Sequence, residues 1–178
     1  MKKTLIATIL SLSAVSSFAA SYVSVDVDNV SGRSGGADST AQYLRAGKEI
    51  GGFQWNIQDR TARFTNGTVI NSMELTAGKS LGLIEPFVGM GYDNGGRTAK
   101  EFSYGLVGAT AGAQVGPGFM LVGAKTRLVE SKGDPKQTVV FGTYSVPVTK
   151  KVALNLNVSQ SNQTIKENAA GLGVKVNF

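Results

Sequence analysis

Apolar and polar residues alternate along most of this chain, in runs too short for anything but strands. From Tyr22 to Asp28, Val23, Val25 and Val27 point one way and Ser24, Asp26 and Asp28 the other. From Gln42 to Ile50, Leu44, Ala46 and Ile50 oppose Tyr43, Arg45, Gly47 and Glu49. The clearest case is Phe53 to Arg60, where Phe53, Trp55 and Ile57 alternate with Gln54, Asn56, Gln58 and Arg60. Asp59 breaks that pattern on the apolar side and predicts a strand end or bulge there. Further alternating segments run over Val69–Leu81, Ile84–Asp93, Phe102–Val115, Phe119–Glu130, Val139–Val148, a segment from Val152, and Ile165–Phe178. The pattern predicts ten strands, with eight longer ones as the alternative.

The connections fall into two kinds. Gly51-Gly52, the stretch near residue 82, Gly116-Pro117-Gly118 and Pro147–Lys151 are tight turns. The others are more polar, near residues 63–68, 93–100, 131–136 and 160–164, and the longest is Asn29 to Thr40. Tight turns at one end and longer loops at the other are the habit of a transmembrane barrel. An even strand count brings both ends of the chain to the turn end, which such a barrel keeps in the periplasm.

The N-terminus carries Lys2 and Lys3, a short apolar run from Leu5 to Val15, and small residues around Ser17-Phe18-Ala19. This reads as a secretory signal peptide over residues 1–19, leaving 20–178 as a single barrel domain. The apolar run is shorter than the ~20 residues a membrane helix needs. Lipid admits only helices and closed barrels, because every backbone polar group must be satisfied internally. An exported, glycine-rich, alternating chain is therefore either a membrane barrel or a soluble β-protein. Glycine occupies 23 of the 178 positions, and cysteine is absent, so no disulfide framework exists. The formal charge of +6 becomes +4 without Lys2 and Lys3. No basic run with interleaved aromatics accompanies it, so nucleic acid is not an expected partner.

Two stretches resemble a known family. Pro86-Phe87-Val88-Gly89-Met90-Gly91-Tyr92 is similar to the Pro-aromatic-Val-Gly-x-Gly strand of small outer-membrane barrels related to OmpA, OmpX and the opacity proteins. The Gly105–Gly112 strand, the Gly-Pro-Gly turn and the Phe119–Leu128 strand sit where that family has its next hairpin. The end of the chain, Gly173, Val174, Val176 and Phe178, resembles the closing strand and the C-terminal signal read during barrel insertion. The resemblance implies an all-β, transmembrane, antiparallel up-and-down barrel in the outer membrane of a Gram-negative bacterium. It also implies contact with outer-membrane lipids and with the barrel-assembly machinery through the C-terminal strand. The family usually has eight strands, and Val139 to Val158 reads here as an extra hairpin.

The chemistry is defined largely by what is missing. Histidine is absent, which removes the usual general base at neutral pH. With no cysteine either, zinc and copper have no favoured ligands. A non-enzymatic barrel without cofactor or metal is expected. If the apolar sides face lipid, then Asp26, Arg45, Glu49, Arg60, Glu74, Lys125, Arg127 and Lys175 face the lumen, five bases against three acids. These residues suit either a narrow, porin-like channel for small, weakly anion-preferred solutes or a salt-bridge network filling the interior. Inward Gly47, Gly78, Gly89, Gly91, Gly123, Gly171 and Gly173 are expected to leave room. The rival reading is a plugged structural or adhesin-like surface barrel, although its loops offer no aromatic anchor.

Overall fold

The computed structural model of the protein describes residues 22–32, 38–94, 101–129, 137–162 and 167–178; the expected signal peptide lies outside them. The described residues form ten strands: β1 (Tyr22–Gly32), β2 (Ser39–Ile50), β3 (Phe53–Phe64), β4 (Val69–Gly78), β5 (Ile84–Asp93), β6 (Phe102–Val115), β7 (Gly118–Val129), β8 (Thr138–Pro147), β9 (Val152–Asn162) and β10 (Glu167–Asn177). Each pairs antiparallel with its chain neighbours, and β1 pairs with β10 to close the barrel. Ten strands, not eight, is the answer.

The register defines the cylinder. One row of paired residues starts at Gln114 and passes through Phe119, Ser145, Asn155, Gly173, Asp26, Tyr43, Arg60, Ser72 and Asp93. It returns to β6 at Phe102, which is 114 − 102 = 12 residues from its start. A shear of twelve over ten strands tilts them by about 40° and sets a backbone radius of about 10 Å. Gly51 and Gly52, both at positive φ (61° and 78°), make the tight β2–β3 turn that only residues tolerant of that region allow.

The outer face is apolar through a band about eight residues deep, roughly 20 Å along the axis at this tilt. Ile57, Leu75, Val88, Met90, Val122, Val158 and Leu172 are all well exposed on it. Such a continuous apolar girdle has no place in water, and it defines a membrane-spanning barrel. Phe53, Trp55 and Phe178 lie toward the turn end, and the Lys79 ammonium sits 5.7 Å from the centre of the Phe53 ring.

Two local expectations fail. β3 does not end or bulge at Asp59: the ladder continues unbroken, with Asp59 opposite Leu44 on one side and Met73 on the other. With the tilt included, Asp59 stands at the loop-side margin of the apolar band, where Gln42, Thr61 and Asn71 flank it. A carboxylate is tolerated there because the headgroups and water are within reach. The long connection expected over Asn29–Thr40 is entered by strand from both ends, since β1 runs to Gly32 and β2 begins at Ser39. The cause lies inside the barrel. Val30, Ala41, Ala62 and Phe64 pack with Ile70, Tyr43 and Ala169 into an apolar cluster, which anchors strand above the membrane.

Candidate functional site

Inside the barrel, side chains from nine strands join into one hydrogen-bonded belt near mid-height. Thr143 of β8 donates to Asn157 of β9 (2.9 Å), and Asn157 donates to Asp26 of β1 (2.9 Å). Asp26 also accepts from Asn155 (3.2 Å), Ser24 (3.0 Å) and the Arg45 guanidinium of β2 (2.6 Å). Arg45 passes the chain to Gln58 of β3 (2.8 Å), and Gln58 reaches Glu74 of β4 (3.4 Å). Glu74 accepts from Lys125 and Arg127 of β7 and from the Tyr104 hydroxyl of β6 (3.0 Å). Arg127 also pairs with Asp93 of β5 at 3.6 Å.

The belt steps from β8 round to β4, and from Glu74 it reaches over β5 and β6 to Lys125 and Arg127 of β7. Asp26 is fully buried, yet every charge in it has an opposite partner, the condition under which ions survive burial. The strands that contribute least to it provide seats. A Cβ on Gly173 of β10 would collide with the Asp26 carboxylate, and one on Gly171 with that of Asp28. Gly91 likewise makes space for the Tyr104 ring between Glu74 and β6. The glycine of the C-terminal motif is thus also the floor beneath the belt's central acid.

The structure brings together five of the eight residues expected in the lumen: Asp26, Arg45, Glu74, Lys125 and Arg127. Arg60 stands apart toward the loop end, its guanidinium 5.9 Å from the centre of the Tyr43 ring, and the Arg45 guanidinium lies 4.4 Å from the same ring centre. Lys175 stands apart toward the turn end, its ammonium 4.4 Å from the Tyr22 ring centre. Glu49 is exposed at the rim beside the β2–β3 turn.

Two inferences from the sequence change here. First, the cationic excess disappears. The register adds Asp28, Glu85, Asp93 and Glu167 to the inner face and no further base, so five bases stand against 3 + 4 = 7 acids among the described residues. Strand parity could have found them, because Pro86, Val88, Met90 and Tyr92 point outward and force Glu85 and Asp93 inward. Second, the inward glycines are not voids. A Cβ on Gly47 would strike the Tyr22 ring, one on Gly108 the Phe87 ring, and one on Gly123 the Phe141 ring at 2.6 Å. Large side chains from neighbouring strands cover them, a pairing that shields exposed backbone.

A cavity of about 750 Å³ remains. Its lining runs from Lys175, Asn177, Gln54 and Glu85 near the turn end to Gln137, Ser161 and Glu167 near the loop end. Among the described residues no cluster of acids could hold a metal ion.

No family profile matches the chain, and no curated protein matches it. Among solved structures it is similar to Neisserial surface protein A, at 13% identity over 88% of this chain and 96% of that one, with a TM-score of 0.46. It is also similar to the translocator domain of the autotransporter NalP from Neisseria meningitidis (12% identity, 88% and 87% covered, TM-score 0.45). A third is the N-terminal β-barrel domain of Pseudomonas aeruginosa OprF (14% identity, 89% and 98% covered, TM-score 0.36). The class is set by the molecule's own geometry: a closed, ten-stranded, antiparallel transmembrane β-barrel with a polar belt in its lumen.

Proposed function

We propose that this barrel is a narrow channel of the Gram-negative outer membrane for small solutes, with both chain ends in the periplasm. The observation that carries the reading is the cavity of about 750 Å³, whose lining reaches from residues near the turn end to residues near the loop end. The balance of inner charges supports weak cation preference or none, rather than the anion preference suggested by the eight residues expected in the lumen. Neither His nor Cys is available, and no catalytic role, cofactor or metal is proposed. The expected partners are outer-membrane lipids around the apolar girdle and the barrel-assembly machinery at the C-terminal strand.

The channel reading is tested with purified, refolded protein in planar bilayers. Small, steady conductance with a reversal potential near zero or slightly cation-selective in a salt gradient is the expected result. Silence from correctly folded protein would replace the channel with a plugged barrel. The assembly reading is tested separately with Phe178→Ala, which should lower the amount assembled in cells while leaving refolding in detergent unchanged. Equal assembly in cells would refute it.

A further inference from the structure

One sector of the wall is mainly apolar, between the Glu85 carboxylate near the turn end and Lys125 and Arg127 of the belt. Toward β5, β7 and β8 the cavity is lined by Phe87, Phe119, Leu121, Val139 and Phe141. These side chains are not packed away: Phe119 is 44% exposed although its register points it inward, and the other four are half-buried. The rings rest against the wall, with Phe87 over Gly108, Phe119 over Gly112 and Phe141 over Gly123. On the strands opposite β7 and β8 the lining carries Arg45 of β2 and Gln58 of β3, and Asn155 and Asn157 of β9 border the sector beside β8. The lumen therefore has an apolar side and a hydrogen-bonding side.

An inner wall built only to pass water and ions would be polar throughout. Keeping apolar rings wet costs free energy in proportion to their exposed area, and an apolar occupant recovers it. Asp26 and Glu74 already hold their cations, so at the belt the polar side presents paired ions and hydrogen-bonding amides. The volume is within the range that accepts molecules larger than a single ring. We propose that the lumen selects small neutral amphiphiles, with an apolar, preferably aromatic body on the β5–β8 side and a hydroxyl-bearing edge on the belt. This rests on the channel reading and names its solute class.

The test uses the whole protein in lipid vesicles with two probes that share a polar body, methyl β-glucoside and phenyl β-glucoside. A simple sieve passes the smaller methyl compound faster. The amphiphile reading expects the phenyl compound to pass at least as fast and to reduce the ionic current at lower concentration than the methyl compound. Phe141→Ser and Phe87→Ser should each lower the phenyl-to-methyl flux ratio about fivefold, on the order expected for losing one apolar contact face, while ionic conductance is kept or raised. Conductance with the sieve order in the unaltered protein overturns this inference and spares the channel. No conductance at all overturns the channel and this inference together. Because the unaltered protein alone decides the order, a variant that fails to fold does not rescue the proposal.

Discussion

The two sides of the lumen solve the same problem by opposite means. Around β9, β1, β2, β3 and β4 the interior is held by hydrogen bonds and ion pairs across strands, completed by Lys125 and Arg127 reaching over from β7. Beside these two bases, toward β5, β7 and β8, it is held by rings laid over glycines. The first arrangement depends on every partner being present, because a buried ion without its counter-ion is far costlier than no ion at all. The second depends on shape, since each ring fills a notch where any side chain would collide. One wall is therefore sensitive to removal of a group and the other to its addition.

Breaking the polar side should have the largest effect. Asp26→Leu removes the acceptor shared by Arg45, Asn155, Asn157 and Ser24 and leaves the guanidinium uncompensated. A loss of about 3–5 kcal/mol is expected, read from urea unfolding in lipid vesicles. Unfolding midpoints equal to the unaltered protein's would mean the belt is decorative. Glu74→Gln leaves Lys125 and Arg127 facing a neutral group. Besides destabilising, it should move the reversal potential toward anion selectivity, and an unmoved potential would separate the belt from the conduction path.

Crowding the apolar side should cost less. Gly123→Val places a branched side chain where the Phe141 ring and the Ala109 carbonyl already lie within 3 Å of a Cβ position (2.6 and 2.9 Å). Displacing the ring costs about 1–3 kcal/mol, and pairing the change with Phe141→Ala should recover part of it. Absence of recovery in that double mutant would show that ring and glycine are not coupled.

The smallest effect is expected outside both walls. Asp59→Val on the outer face should change stability by less than about 1 kcal/mol, because its carboxylate stands at the membrane margin. A gain of several kcal/mol would move the membrane boundary upward and put Asp59 in hydrocarbon.

Much of the barrel was legible in the chain because a strand's period of two sorts side chains by solvent without reference to any distant residue. Trp55 and Gln58 declare their faces from sequence alone, as do Val174 and Lys175. The same parity was available for Glu85 and Asp93, but glycine at alternate inner positions of that strand drew attention to missing side chains instead. Asp59 misled because alternation says which face a residue occupies and nothing about its height. Height depends on tilt, and tilt on the shear accumulated around all ten strands.

The architecture is written in the chain: alternating strands, tight turns at one end, an apolar outside, a polar inside, and neither histidine nor cysteine. How the inside is arranged belongs to the closed barrel alone. Asp26 and Asn157 are 131 residues apart, and Glu74 and Lys125 are 51 apart; closure and register bring them together. The glycines that the sequence offered as open space became seats for Asp26, Phe87 and Phe141, because a neighbouring strand fills whatever room a missing Cβ leaves.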